Sequence, residues 1–178
     1  GSNLYHALKR SGLSTNVEFN RLGQALASNA TGQLVRLYFY NAPLKQRDNP
    51  AAYAAQLRFF EALRHTPNTH LVLGHLEYRR MVTPCCGKSV DYKVEKGVDV
   101  RIAVDLLDKA VRDVYDAAIL VSGDADLVPA VEAVKERGKN VYLAYPPGGR
   151  AHHLRGACAD FFPLDADFGG LVRASGAT

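Results

Sequence analysis

The sequence lacks any apolar run close to the roughly 18 to 20 residues that a membrane-spanning helix needs, and no signal peptide opens it. It contains only three cysteines, the adjacent pair Cys85 and Cys86 and the separate Cys158. An odd number with a vicinal pair makes a poor disulfide framework and is typical of a reducing compartment. We therefore expect a cytoplasmic protein without a membrane segment. A glycine-rich phosphate loop of the Walker or dinucleotide type is also missing.

Length and composition predict one globular domain over residues 1–178. Of the 178 residues, 47% are hydrophobic and 22% are charged, which is ordinary for a globular chain. This length is enough for one substantial core and short for two. The net charge of +4 favours an anionic partner mildly and is compatible with nucleic acid.

Strand-like and helical segments alternate along the chain. Strand-like patterns cover residues 34–40, 70–82, 90–94, 117–121, 140–144 and 161–164. Helical patterns cover residues 4–8, 17–27, 51–64, 98–114, 127–137 and 154–158. We expect a bend at Gly74 and a hairpin turn around residues 84–88. Repeated strand–helix–strand units predict a mostly parallel sheet covered by helices.

The helix predicted over residues 98–114 carries a valine-rich stripe. Its members are Val100, Val104, Leu107, Val111 and Val114. This spacing places them on one helix face, which we expect to be buried. Asp105 and Asp108 lie away from the stripe, and we expect both on the solvated surface.

Two carboxylates follow the apolar run of residues 117–121, which we interpret as a strand buried on both faces. The run continues as Ser122-Gly123-Asp124-Ala125-Asp126-Leu127. Ligands of open α/β sheets collect at the carboxyl ends of strands, and Mg²⁺ prefers oxygen ligands. A purely structural interpretation is that Asp126 caps the next helix and Asp124 belongs to a turn.

A third acid stands at another helix start. The run Lys96-Gly97-Val98-Asp99 introduces the helix of residues 98–114, and Asp99 there also suits the helix dipole. We expect Asp99 to face the carboxyl edge of the sheet, near Asp124 and Asp126. Clustered carboxylates repel one another, and a divalent cation removes that cost while activating water or orienting a phosphate.

Other polar residues give weaker patterns. Tyr78-Arg79-Arg80, Lys88 and Lys93 form either a basic, partly aromatic approach for single-stranded RNA or simply the polar edge of a hairpin. Cys85-Cys86 is similar to a zinc-knuckle fragment, but two adjacent cysteines do not supply four tetrahedral ligands. We expect His152 and His153 to face solvent and Cys158 to lie in the core.

Taken in order, these motifs resemble the NYN domain family, relatives of the PIN-domain nucleases. The resemblance rests on Lys96-Gly97-Val98-Asp99, on Ser122-Gly123-Asp124-Ala125-Asp126-Leu127 and on Arg137-Gly138-Lys139-Asn140. It covers residues 3–164. The motifs are fairly specific together and weak singly.

The resemblance implies a three-layer α/β/α sandwich with a mostly parallel central sheet. It also implies cleavage of RNA by a water that Mg²⁺ or Mn²⁺ activates. By position, Asp99, Asp124 and Asp126 match the metal-binding and catalytic acids, while Asn3 and Ser122 match residues beside the substrate. Lys96 is either a phosphate contact or a solvated lysine. Single-stranded RNA is the expected partner, and a homo-oligomer is also open.

One departure from the family pattern concerns the start of the sequence. The family begins with a central strand that ends in Asp just before a Gly-x-Asn step. Here the first residues are Gly1-Ser2-Asn3, so we expect that strand and its Asp to be missing from this sequence. The alternative function is a catalytically inactive PIN-like module that binds RNA or a protein. An Asp-x-Asp phosphatase fits less well, because its motif belongs on the first strand.

Overall fold

Helices and strands alternate through the computed structural model, which describes residues 2–145 and 151–164 except 11, 13, 14, 16 and 84. The helices are α1 (Ser2–Arg10), α2 (Phe19–Asn29), α3 (Pro50–Arg64), α4 (Val98–Val111), α5 (Val128–Lys135) and α6 (His152–Ala157). The strands are β1 (Leu37–Asn41), β2 (Thr69–Leu73), β3 (His75–Val82), β4 (Ser89–Lys96), β5 (Ala117–Val121), β6 (Asn140–Tyr145) and β7 (Asp160–Pro163). A 3-10 helix, Ala125–Leu127, precedes α5. The prolines and glycines of residues 145–150 predict a loop, and this segment lies almost wholly outside the described residues.

The strands form two parallel sheets and one hairpin. Strand β1 pairs in parallel with β2, and β6 pairs in parallel with both β5 and β7. Strands β3 and β4 pair antiparallel, and β2 and β3 are separated at Gly74 as expected. The mixed α/β fold is therefore confirmed. Within the described ranges, however, no ladder joins β1 to β5, so these strands do not make one central sheet.

Alternating side chains of β5 and β6 contact helices on opposite sides. Leu120 and Leu143 belong to a cluster with α5 and α6, whereas Ile119 and Ala144 pack with α1 and α2. Period-2 alternation explains this division, since successive strand side chains point to opposite faces. No helix among the described residues is both long and apolar enough to cross a membrane.

The β1–β2 sheet has its own aromatic cluster. Phe39 of β1 packs with Phe60 and Leu63 of α3, and the Phe19 ring contacts the Phe39 ring edge-on at a centroid distance of 4.9 Å. Phe19, at the start of α2, also packs against the cluster that contains Ala144 of β6. Helix α2 therefore contacts both parallel sheets.

The face of α4 that packs inward differs from the predicted one. Val100, Val104 and Val111 are 69%, 55% and 57% exposed, and Val114, past the helix end, is 40% exposed. The inward residues are instead Ile102, Ala103, Leu106 and Ala110, together with Leu107 of the predicted stripe. This face is buried because it has larger aliphatic side chains, and because its alanines allow close approach of neighbouring elements.

Two further expectations about burial are corrected. Asp105 is buried at 7% exposure, because Tyr40, Arg101 and Lys109 satisfy its carboxylate; Asp108 is exposed as predicted. Strand β5 is only partly buried, with Leu120 its one fully buried residue. Among the described strands β5 has a neighbour on one side only, which leaves its other edge without a pairing strand.

Candidate active site

The turn after β5 is held by hydrogen bonds from its own side chains. The Asp124 backbone N–H donates to Ser122 Oγ at 3.1 Å, and the Asp126 N–H donates to Asp124 Oδ1 at 3.0 Å. Asp124 is thus the N-cap of the 3-10 helix. The N-cap of α5 is Leu127, without a side-chain hydrogen bond, so the alternative interpretation of Asp126 as the cap of that helix is wrong. Ser122 is buried and acts as the support of this turn. The capping leaves Asp124 Oδ2 and the exposed Asp126 carboxylate for other partners.

Asp99 lies in the first turn of α4. The N-cap residue of this helix is Gly97, in the left-handed conformation (φ 79°), and no side chain caps the helix. Asp99 stands three, four and seven residues before Ile102, Ala103 and Leu106, so it shares their inward side at the helix start. Helix α4 also packs against the 3-10 helix. This packing brings Asp99 toward Asp124 and Asp126, as the sequence predicts.

The negative charges of neighbouring acids act on the carboxyl group of Asp99. Although Asp99 as a residue is exposed, burial of its carboxyl group raises the pKa, and the negative charges of Asp124, Glu95 and Asp126 raise it further. Like charges close together disfavour ionisation in this way. Among the described residues, no Lys or Arg forms a salt bridge with Asp99, Asp124 or Asp126. These three aspartates therefore have no basic partner in the part of the chain that the structure describes.

Glu95 is a member of this group that the sequence reasoning missed. The predicted strand of residues 90–94 stops one residue short of it, whereas β4 continues to Lys96. The alternation of Asp91, Lys93 and Glu95 on one face of the strand was the available signal. With Glu95, the carboxylates come from three separate places: the end of β4, the start of α4 and the turn after β5.

The acids are near one another without forming a finished metal cage. In the described part of the chain, no three His, Cys, Asp or Glu side chains are grouped closely enough to hold a metal ion. This finding also leaves the zinc-knuckle interpretation without ligands there, since Cys85 and Cys86 are exposed and Cys158 is buried. The three thiols are free, His152 and His153 are exposed, and Cys158 lies in the core, all as expected.

The remaining predicted substrate residues lie at two places. Lys96 ends β4 and is half-buried, two residues before α4 begins. Asn3 lies on α1, and its side chain falls outside what the structure describes. Lys96 is therefore close in sequence to Asp99, while a contact between Asn3 and the acids stays a prediction.

The fold and the acidic junctions define a class, an α/β protein with carboxylates gathered where strands give way to helices. Comparison with known families identifies the family within this class. The model of the NYN domain family matches residues 1–165, so the chain belongs to that family. The family is nuclease-like in its general activity. No curated protein matches the chain.

A solved structure resembles this one. It is the crystal structure of VPA0982, a protein of unknown function from Vibrio parahaemolyticus. The two superpose with a TM-score of 0.63 at 23% sequence identity, covering 93% of this chain and 89% of the other. At that identity the likeness concerns the fold alone.

Proposed function

We propose that this NYN domain is a metal-dependent ribonuclease whose Asp99, Asp124 and Asp126 bind Mg²⁺ or Mn²⁺. The observation that carries the proposal is the packing of α4 against the 3-10 helix after β5, where burial and then the charge of Asp124 raise the pKa of Asp99. Carboxylates kept together without a basic partner are poised for a cation that relieves their repulsion. Asp105 is the contrast, because Arg101 and Lys109 already neutralise it.

The donor set agrees with Mg²⁺ chemistry. This ion usually keeps several waters and takes only one or two protein carboxylates together with substrate phosphates. Asp99 and Asp124 would supply that number, and Asp126 would hold the ion through water. A cation bound there supplies an activated water and neutralises charge on the phosphodiester. The protein's own part is to fix Asp124, through Ser122 and the Asp126 amide, and to orient the RNA backbone beside it.

The finer architecture proposed is a three-layer sandwich with one central sheet. Helix α2 contacts both parallel sheets through Phe19. Helix α4 does so as well, because its Asp105 accepts a hydrogen bond from Tyr40 of β1 and its inward residues pack with Leu120 of β5. These contacts support both parallel sheets lying in one layer between the helices.

RNA cleavage tests the function directly. Labelled single-stranded RNA is incubated with the chain, and with a version extended by its native upstream residues, in Mn²⁺ or in EDTA. We expect cleavage only with metal, and a loss in Asp124→Asn larger than the 10- to 100-fold or so that outer contacts of a metal cost. Asp108→Asn, an exposed acid of α4 paired with Arg112, is the matched control and should cleave normally. Cleavage in EDTA, or cleavage that survives Asp124→Asn, would contradict the proposal.

A catalytically inactive RNA-binding module is the second candidate. The specific observation in its favour is that no three acids of the described chain are close enough to share a cation. RNA binding without cleavage in either version of the protein would support this alternative.

A further inference from the structure

A cationic group surrounds Tyr78 of β3, and two of its members come from a distant loop. Lys45 Nζ lies 4.3 Å and Arg47 Cζ 4.5 Å from the centre of the Tyr78 ring, both from the loop between β1 and α3. Lys93 Nζ, from β4, lies 5.9 Å from the same ring. Cations within about 6 Å of an aromatic ring are attracted by its electron-rich face. The tyrosine therefore holds three cations together.

One carboxylate organises this group without neutralising it. Asp48 pairs with Lys93 at 3.2 Å and with Arg47 at 3.8 Å, and it accepts a hydrogen bond from the Tyr78 hydroxyl. Three cations against one carboxylate leave an excess of positive charge. We call Lys45, Arg47, Asp48, Tyr78 and Lys93 the Tyr78 patch.

The two arginines of the hairpin are already matched by acids. Arg80 donates to both carboxylate oxygens of Asp91, at 2.8 and 3.3 Å, and Arg79 pairs with Glu77 at 3.5 Å. Each of these arginines has its own carboxylate on the same hairpin. These arginines therefore add no excess charge, whereas the Tyr78 patch brings three cations together around one carboxylate.

The patch is continuous with the acidic group along β4. Tyr78 and Lys93 are direct partners across the hairpin, as are Leu76 and Glu95. Positions 93 and 95 share a strand face and lie about 7 Å apart at the usual rise per residue. Glu95 in turn acts on the Asp99 carboxyl. A polyanion lying over Lys93 therefore reaches the acids with its next units.

We infer that the Tyr78 patch binds the phosphate backbone of single-stranded RNA next to the acidic site. The inference deepens the proposed function and rests on it. The Tyr78 ring is already in contact with cations and its hydroxyl with Asp48, so the patch recognises phosphates rather than stacking on a base. RNA is favoured over an acidic protein because Mg²⁺ sites built on one or two carboxylates are usually completed by substrate phosphates.

Binding in EDTA tests this inference apart from cleavage. Fluorescence anisotropy of a labelled 12-residue oligouridine is measured over a range of KCl concentrations. In the triple variant Lys45→Gln, Arg47→Gln and Lys93→Gln, we expect at least a tenfold weaker affinity at low salt. The salt slope should fall by about 2, since each phosphate contact on a single strand contributes about 0.7. An abasic strand of equal length should show the same loss.

A control with equal charge change separates the patch from net charge. The triple variant Arg58→Gln, Arg64→Gln and Arg137→Gln alters exposed cations on α3 and after α5, and it should bind nearly as the wild type. The pair Lys45→Arg and Lys93→Arg keeps the charges and should also bind. Thermal melting of every variant shows whether the fold is kept.

The outcomes distinguish this inference from the proposed function. A difference between the two triple variants supports the patch even if no RNA is cleaved. Equal binding by both triple variants overturns the patch and leaves any metal-dependent cleavage standing. Polyglutamate binding that matches RNA binding and is lost with the patch identifies an acidic protein as the ligand and also overturns it.

Discussion

The Tyr40 hydroxyl of β1 donates a hydrogen bond of 3.1 Å to Asp105 Oδ2 of α4, across 65 positions of the chain. The same carboxylate pairs with Arg101 at 3.2 Å and with Lys109 at 2.9 Å. This buried group connects the β1–β2 sheet to the helix that carries Asp99. It therefore fixes the position of the acidic site relative to the rest of the fold.

Replacing Asp105 should destabilise the protein strongly. In Asp105→Asn the charge of Lys109, whose side chain is 16% exposed, loses its partner. Breaking one side of such a buried pair costs about 3 kcal/mol or more, measured as the free energy of unfolding in urea. The control Asp108→Asn removes a pair whose side chains are 69% and 48% exposed, and should change stability by less than about 0.5 kcal/mol.

The same variant has a characteristic pH dependence. Burial alone would raise the pKa of Asp105, but hydrogen bonds from Lys109, Arg101 and Tyr40 outweigh it and hold the pKa below its ordinary value. Such a carboxyl contributes stability above its unfolded pKa and loses it as pH falls through the folded pKa. The difference between wild type and Asp105→Asn should be full at neutral pH and shrink below about pH 4. A difference that stayed constant into strong acid would contradict an ionic origin.

The contribution of Asp99 to stability should depend on pH in the opposite direction. Its folded pKa is raised, first by burial and then by the charge of Asp124, so the folded state holds the proton more tightly than the unfolded state. Stability conferred by the protonated form is lost as pH rises from the ordinary Asp pKa through the raised one. Asp99→Asn should therefore raise Tm above that range and have little effect below it.

Divalent cations provide the control for Asp99. Binding to the folded state alone stabilises it, so millimolar Mg²⁺ or Mn²⁺ should raise the Tm of the wild type at neutral pH and that of Asp99→Asn much less. Scanning fluorimetry from acid to neutral pH, with metal or with EDTA, measures both effects. A Tm lowered equally at every pH by Asp99→Asn would indicate a packing role instead.

Local patterns predicted the order of elements and the acidic junctions. The features that they did not predict depend on contacts between segments that are distant in the sequence. The positions of Asp99 and Asp124 follow from strand and helix boundaries, which are readable from neighbouring residues. The prediction of the inward face of α4 was wrong because two apolar stripes overlap at Leu107, and only packing with other elements determines which stripe is buried. Burial of Asp105 depends on Tyr40, which no local pattern of the helix reveals.

The basic surface shows the same limit. The sequence leaves Tyr78 and Lys93 as either an RNA approach or the polar edge of a hairpin, and the hairpin register places them opposite each other. The contribution of Lys45 and Arg47 depends on a loop that folds over Tyr78 from more than one element away. Pairing of Arg80 with Asp91 likewise needs the exact strand register, so the sequence alone left these cations equivalent.

Gly74 is expected to be essential to the start of α4. A Cβ there would lie 2.6 Å from the Lys96 carbonyl oxygen and 2.9 Å from Val98 Cγ2. Because one of these atoms belongs to the backbone, Gly74→Ala should cost about 1 to 3 kcal/mol of unfolding free energy. It should also weaken metal binding, since the clash lies beside the turn that positions Asp99. Gly123→Ala is the matched control: a Cβ there meets nothing within 4 Å, so stability should barely change.

The three thiols should differ in reactivity according to their surroundings. Cys85 and Cys86 are exposed near the hairpin turn, and a hydrogen bond with Thr83 lowers the pKa of the Cys86 thiol. Burial raises the pKa of Cys158. Because the thiolate is the reacting species, a disulfide reagent should modify two thiols rapidly in the native protein and Cys158 only after unfolding. In Thr83→Val, the rate at Cys86, followed by peptide mass spectrometry, should fall while the slow rate at Cys158 stays the same. Rapid modification of all three thiols in the native protein would contradict the burial of Cys158 among the residues that pack beneath α6.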